Sequence, residues 1–237
     1  MRQRLRHTAL RAARLRPWLF FPLIRAHQKL GHNQGLWPVR RSTDLVVEGF
    51  FRSANTYTAR ALKYLNPGLD VAYHSHAPAS IMVAARRQLP TVILIREPRK
   101  AVISNMLLHP KMPPQWIIDD YCLFYEAIEP LREHFLTVLF EEVADDFDAV
   151  VDRINQHFNL TLTTRRGLSD AQQEELLNAV DPYRATRESE RQIGKGHLPM
   201  QAKQTLKQQA KQRIEDESLE RELRIAQRIY ERFSGGQ

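Results

Sequence analysis

A strand, a tight turn and the start of a helix follow one another over residues 45–60, and this unit limits the folds open to the chain. Residues 45–51, LVVEGFF, are mostly the β-branched, aliphatic and aromatic types that strands favour. Residues 52–56, RSANT, are short and polar, and apolar residues then recur with helical spacing over 57–65. A turn that leads into a helix directs several main-chain N–H groups to one point, where the helix dipole adds positive potential. The stretch is therefore suited to binding an anionic group.

The rest of the central sequence repeats this alternation of strand and helix. The run TVILI at residues 91–95 is rich in β-branched residues and has no charged member, which indicates a strand buried on both faces. Strands that alternate with helices predict an α/β fold in which a central parallel sheet is covered by helices on both faces, a three-layer sandwich. Further strands are predicted at 71–73 and 135–140, and helices at 79–88, 100–108, 116–134, 147–158, 171–180 and 203–233. The predicted organisation is a basic N-terminal arm (1–42), an α/β core (43–200) and a helical C-terminal extension (201–237).

The positive charge of the chain is concentrated in the N-terminal arm. The net charge is +8, but residues 1–41 hold ten lysines and arginines and no acidic residue, so the remaining residues carry −2. A nucleic-acid partner is therefore not predicted for the body of the protein. The single cysteine, Cys122, allows neither an internal disulfide nor a cysteine-based metal site.

The arm contains the apolar segment WLFFPLI at residues 18–24, which is too short to span a bilayer. One interpretation is an interfacial anchor, with peripheral contact between residues 1–41 and an anionic membrane. The other is an N-terminal helix that packs on the body. We expect a cytoplasmic protein: no small-residue cleavage site follows the segment, although an organelle transit peptide remains open.

The turn at residues 52–56 lacks the Lys-Ser/Thr pair and the spaced glycines of a Walker A loop. It instead resembles the 5′-phosphosulfate loop of sulfotransferases that use 3′-phosphoadenosine 5′-phosphosulfate (PAPS), in which a strand ends in a basic residue followed by Ser-Gly-Thr-Thr. Arg52, Ser53 and Thr56 match this pattern, whereas Ala54 replaces the glycine and Asn55 replaces a hydroxyl residue. The alternative is a polar helix cap formed by Ser53 or Asn55.

A second motif, REPRKAVIS at residues 96–104, resembles the 3′-phosphate signature of the same family. The resemblance implies that Arg96, at the end of a strand, and Ser104, on the next helix, hold the 3′-phosphate. A planar guanidinium suits this task because it can donate two hydrogen bonds to phosphate oxygens. The alternative is that Arg96 pairs with Glu97 or another acid and that the serine is merely exposed.

A third motif, HSHAP at residues 74–78, resembles the family's Lys-Thr-His-apolar-Pro segment, whose histidine is the catalytic base. By this resemblance His76 is the base and His74 takes the lysine position, near the substrate. Histidine suits proton removal because its pKa lies near neutrality. The alternatives are a metal-binding pair or a surface loop.

Two weaker matches complete the series in the family's order. Residues 138–143, VLFEEV, resemble a strand that ends in Tyr-Glu-Asp-Leu and has a mainly structural role. Residues 191–197, RQIGKGH, resemble a basic glycine-containing loop, which places Lys195 and Gly196 at the cofactor. A polar linker is the alternative for this last segment.

Together the resemblances imply a PAPS-dependent sulfotransferase with a P-loop NTPase-like fold and no metal. The turn at 52–56 would hold the 5′-phosphosulfate, and Arg52 would stabilise charge on the bridging oxygen of the leaving nucleotide. The acceptor is a hydroxyl or amine on a glycan, lipid, peptide or small phenol. A P-loop-type kinase and a non-catalytic adaptor that binds membranes or polyanions are the alternative functions.

Overall fold

The computed structural model describes residues 2–30, 36–180, 200–216 and 218–235. Its centre is a sheet of four strands, all parallel, in the spatial order β2-β1-β3-β4. The strands are β1 (Leu45–Gly49), β2 (Val71–Tyr73), β3 (Thr91–Ile95) and β4 (Leu136–Leu139). The helices are α1 (Arg2–Arg14), α2 (Pro17–Lys29), α3 (Asn55–Leu65), α4 (Pro78–Arg86), α5 (Pro98–Leu108), α6 (Pro114–Ile128), α7 (Phe140–Asp145), α8 (Phe147–Phe158), α9 (Asp170–Val180), α10 (Met200–Asp216) and α11 (Glu220–Ser234), with a 3₁₀ helix at Glu129–His134.

Strand β3 shows why the sheet is covered on both sides. Its side chains point alternately to the two faces. Val92 and Leu94 pack into one apolar cluster, whereas Ile93 and Ile95 pack into the other, and all four are fully buried. The prediction of a strand buried on both faces, within a three-layer α/β sandwich, is therefore confirmed.

The two helical layers follow from these two clusters. Helices α3, α8 and α9 cover the face to which Val92 and Leu94 point, and α4, α5, α6, α10 and α11 cover the opposite face. The C-terminal helix α11 contributes Phe233, which is fully buried and lies against Tyr125 and Phe135. The apolar stripe of α11 is thus a packing surface of the core.

Three predicted elements have the wrong bounds. The helix predicted over 203–233 is divided in two, because α10 ends at Asp216 and α11 begins at Glu220. Strand β1 ends at Gly49, and Phe50 and Phe51 lie in the following turn, although Phe50 is buried. The single helix predicted over 116–134 ends at Ile128 and continues as a 3₁₀ helix. Pro130 lies at this change. Its nitrogen carries no hydrogen, so it cannot donate the α-helical hydrogen bond to the carbonyl group four residues earlier.

The first two helices pack on the body. On α1, His7 and Arg11 contact the carboxylate of Asp120 on α6, and the His7 ring stacks on Trp116 at a centroid distance of 4.5 Å. On α2, Phe20 is buried in a small cluster at the start of α4. Within the part of the chain that the structure describes, no helix is both long enough and apolar enough to cross a bilayer.

Candidate functional site

The order of the strands places a crevice between the carboxyl ends of β1 and β3. From β1 the chain moves to β2 on one side, and it then returns to β3 on the other side of β1. The helices that follow β1 and β3, α3 and α5, accordingly lie on opposite faces of the sheet. Open α/β sheets bind ligands at such a switch point. A cleft of about 1140 Å³ lies here, lined by residues from the turns after β1, β2 and β3.

Left-handed backbone conformations are concentrated at this edge of the sheet. Arg52 (φ 68°) and Ala54 (φ 71°) follow β1, and His74 (φ 65°) and His76 (φ 46°) follow β2. These are four of the seven non-glycine residues with positive φ in the described segments. Such conformations cost free energy and persist where surrounding structure enforces them, often at functional sites.

The two strand-end arginines are linked to each other and to α5. Arg96 Nη1 donates to the main-chain oxygen of Arg52 at 3.0 Å, and Arg52 Nε donates to Ser104 Oγ at 3.0 Å. The structure therefore brings together the two predicted phosphate-binding motifs, which are 44 residues apart in sequence. Both arginines and Ser104 line the cleft.

In the described part of the chain, no carboxylate lies within ion-pair distance of either arginine of this pair. The predicted alternative, a pair between Arg96 and Glu97, is wrong: the Glu97 carboxylate caps α5 by accepting from the main-chain N–H groups of Arg99 and Lys100. Partial burial lowers the pKa of Arg96, the charge of Glu141 raises it, and the neighbouring Arg52 lowers it further.

The guanidinium of Arg96 is held in place, although one of its N–H donors lacks an acceptor among the described residues. Its guanidinium carbon lies 3.9 Å from the centroid of the Phe140 ring, which fixes the plane of the group. Its Nε is buried and has no hydrogen-bond partner within the residues that the structure describes. A buried donor without an acceptor is costly, so this atom is suited to a ligand oxygen.

The turn after β1 leaves the start of α3 open. Ala54 is the N-cap of α3 and no side chain caps this helix, so the helix-cap interpretation of Ser53 and Asn55 is wrong. Ser53 is fully buried and does not line the cleft. The Asn55 amide donates to the carbonyl oxygens of Gly49 and Phe50, at 3.0 Å each. Asn55 and Thr56 both line the cleft, but the side-chain amide of Asn55 is engaged with these two carbonyl groups.

His76 has a defined tautomer. Its Nδ1 lies 2.9 Å from the carbonyl oxygen of Gly49. A carbonyl oxygen can only accept, so Nδ1 carries the proton and Nε2 carries the lone pair. Asn55 Nδ2, 3.3 Å from Nδ1, is then a contact between two donors. Burial lowers the pKa of His76 to about 3, and the nearby charges of His74 and Arg14 lower it as well.

His74 lies beside His76, with ring centroids 4.9 Å apart, and both line the cleft. Within the described ranges, no group of three or more His, Cys, Asp or Glu side chains is arranged to hold a metal ion. The two histidines therefore have no third ligand of these types there.

Glu48 was not singled out by the sequence patterns, yet it shapes the histidine loop. It lies on β1 and is 1% exposed. Its two carboxylate oxygens accept from the main-chain N–H groups of Ser75 (2.8 Å) and His76 (3.0 Å). Burial raises the pKa of Glu48 to about 7, against the opposing effect of its hydrogen bonds. The available signal was one acidic residue inside the apolar run LVVEGFF.

Arg14 of α1 is a second residue missed from the sequence. Its guanidinium lies 5.4 Å from the centroid of Phe51 and is close enough to Glu48 and His76 to affect them electrostatically. Burial lowers the pKa of Arg14, while the charges of Asp120 and Glu48 raise it. The basic arm thus contributes a charge behind the predicted base.

Of the last two sequence motifs, only residues 138–143 lie within the described part of the chain. Glu142 accepts from the main-chain N–H of Leu139 at 2.6 Å and forms an ion pair with Arg153, while Glu141 pairs with Lys100. The predicted loop at 191–197, with Lys195 and Gly196, lies outside the described residues.

Comparisons with known proteins give a remote likeness. No family model matches the sequence, and no curated protein matches it significantly. Among solved structures, the chain is similar to the mouse sulfotransferase SULT7A1 complexed with PAP, with 11% sequence identity and a TM-score of 0.42. The match covers 61% of this chain and 65% of that one, which is less than two thirds of its length. A likeness at this level does not assign the chain to a family.

Proposed function

We propose that this protein is a sulfotransferase that moves a sulfuryl group from PAPS to a hydroxyl or amine of an acceptor. The observation that carries the proposal is the arrangement of Arg52, Arg96 and Ser104 at the switch point of the sheet. Two cations, neither of them ion-paired with any described residue, are connected through hydrogen bonds and line one cleft. Such a cleft is built for a ligand with more than one anionic group.

The residues present fit PAPS. The buried, unpartnered Nε of Arg96 is a donor that a 3′-phosphate oxygen would satisfy, with Ser104 beside it. The uncapped start of α3 offers main-chain N–H groups to the 5′-phosphosulfate. Bound PAPS would supply the sulfuryl group on a nucleotide leaving group. Arg52, which lies in the turn before α3 and donates to Ser104, would place its charge where negative charge develops on that leaving group.

His76 is proposed to take the acceptor proton at Nε2. The hydrogen bond from Nδ1 to Gly49 holds the ring in the tautomer that leaves Nε2 free, and the low pKa keeps this nitrogen unprotonated at neutral pH. A nearby anionic cofactor would raise the pKa of His76, because negative charge favours the protonated ring. The base would therefore become stronger when the cofactor is bound.

The test is nucleotide selectivity measured by isothermal titration calorimetry. Adenosine 3′,5′-bisphosphate (PAP), the desulfated product, is expected to bind more than about tenfold tighter than AMP, because only PAP satisfies Arg96. Arg96→Ala should abolish this preference. The matched control is Arg99→Ala, three residues further on, where the side chain pairs with Glu220 and does not line the cleft. Equal affinity of the wild-type protein for PAP and AMP would overturn the proposal.

The same assay separates the alternatives. A P-loop-type kinase is expected to prefer ATP with Mg²⁺ over PAP, and a non-catalytic adaptor is expected to bind neither nucleotide.

A further inference from the structure

We propose that the exposed face of α2 docks this protein on the surface of an anionic lipid bilayer. This inference does not depend on the proposed enzymatic activity. It rests on one surface, defined here as the α2 face: Trp18, Pro22, Leu23, Ala26 and Leu30, with Arg25 and Lys29 at one edge.

The α2 face exposes large apolar side chains. Trp18 is 73% exposed, Leu23 is 50% exposed and Leu30, which ends the helix, is 73% exposed. Including Leu10 on α1, residues 10–30 provide four of the six large hydrophobic side chains that are exposed in the described part of the chain. Single exposed leucines are ordinary, but a concentration of them on one helix face indicates an interaction surface.

The opposite side of α2 is fixed to the body. Phe20 is buried, and it packs with Phe21 and Ile24 against Ala77 and Ala79 at the start of α4. The two interpretations of the arm are therefore not exclusive: one side of α2 packs on the core and the other remains open. A helix that is already folded and attached pays little ordering entropy when it docks.

The charge around the α2 face selects the partner. Arg16, Arg25 and Lys29 are exposed, and residues 1–41 contain no acidic side chain. Two copies of such a surface would repel each other, which disfavours a symmetric dimer through this face. Basic residues next to apolar side chains and an exposed tryptophan match the composition of helices that lie in the interface of anionic bilayers.

The test uses the full-length protein and co-sedimentation with lipid vesicles. Binding is expected to vesicles that contain phosphatidylserine at low salt, weak binding to pure phosphatidylcholine, and release at high salt. Trp18 provides a local signal, because its fluorescence should shift to shorter wavelength as the ring leaves water. Trp18→Phe should remove most of that shift while retaining binding, since Trp37 and Trp116 are stacked on Tyr73 and His7.

Variants of the face test the assignment. Trp18→Ser combined with Leu23→Ser should abolish sedimentation, and Leu177→Ser, at an exposed leucine of α9, is the matched control.

Arg25→Gln combined with Lys29→Gln should reduce partitioning by about 30-fold, since each basic residue contributes roughly fivefold. The matched control is Arg224→Gln with Arg228→Gln, two exposed arginines one turn apart on α11. Melting curves and PAP titrations on each variant report folding and the nucleotide site separately from docking.

Three results would overturn the proposal. The first is no binding of the wild-type protein to anionic vesicles at low salt. The second is unchanged binding by the folded α2-face variants. The third is an equal Trp18 shift with a soluble polyanion such as heparin, which would assign the surface to a polyanion instead of a bilayer.

Discussion

Replacing the buried carboxylate Glu48 by glutamine tests whether this residue holds the histidine loop in place. In the native protein, one carboxylate oxygen accepts from the N–H of Ser75 and the other from the N–H of His76. Glu48→Gln keeps one acceptor but turns an amide NH₂ toward the other N–H donor. A buried donor without a partner costs about 1–3 kcal/mol, so a loss of this size in unfolding free energy is expected at pH 5.

The pH dependence of this loss gives a sharper signature. Burial raises the pKa of Glu48 to about 7 from an ordinary value of 4.5. The folded protein therefore favours the neutral acid, and the associated stability is fully present below pH 4.5 and is lost as the pH rises through 7. A pKa shift of this size lowers the unfolding free energy by about 3 kcal/mol as the pH rises from 4.5 to 7. The glutamine variant has no such titration, so the advantage of the native protein in unfolding free energy should fall by about 3 kcal/mol from pH 4.5 to 7.5, which is enough to cancel or reverse the difference expected at pH 5.

Urea unfolding of both proteins at several pH values measures this difference, and all other titrating groups cancel in the subtraction. Glu133→Gln, at an exposed position, controls for the loss of one negative charge. A stability difference that stays constant with pH, or that grows as the pH rises, would refute the reasoning that burial dominates the titration of Glu48.

Three further changes have defined outcomes. Gly49→Ala should lower the unfolding free energy by about 3 kcal/mol in urea melts, because the new Cβ would lie 2.1 Å from the Leu94 carbonyl oxygen; wild-type stability would contradict the close packing of β1 on β3. Ala54→Gly should raise the melting temperature by up to about 4 °C, because glycine adopts the left-handed conformation at φ 71° without the backbone strain of alanine. An unchanged or lower melting temperature would count against strain at this position. His76→Ala should slow the release of PAP from PAPS by about a hundredfold or more with a test acceptor while PAP affinity is kept, and a larger effect of His74→Ala would reassign the base.

The sheet could be predicted because its signal is local. The run TVILI continues from Thr91 with four apolar residues, and the structure buries it on both faces as predicted. Boundaries were less predictable, since they depend on tertiary contacts. Phe50 has the composition of a strand residue, but its N–H donates to the Tyr125 hydroxyl of α6, which also donates to Leu94 on β3. That contact holds the chain in a turn directly after Gly49.

The residues of the candidate site also differ in whether the sequence alone could predict them. Arg52, Arg96 and Ser104 could be selected because each stands in a motif with a defined place at a strand or helix end, and the structure brings the three together. Glu48 could not be assigned a role, because its partners are main-chain N–H groups 27 and 28 residues away. The inward orientation of the Asn55 amide likewise depends on carbonyl groups that only the folded turn provides.

The histidine loop connects the N-terminal arm to the cleft. Phe20 of α2 packs on Ala77, the residue after His76, and Arg14 of α1 lowers the pKa of His76 through its charge. The left-handed conformation of His76 requires support from its surroundings, and α2 packs directly against the end of this loop. A force or a binding event on α2 would thus act on the residue next to the proposed base. If the α2 face docks on a bilayer, only the helix α2 separates the lipid surface from the end of the loop that carries the proposed base. Under the proposed function, this arrangement favours an acceptor hydroxyl presented by a membrane-bound molecule over one that is free in solution.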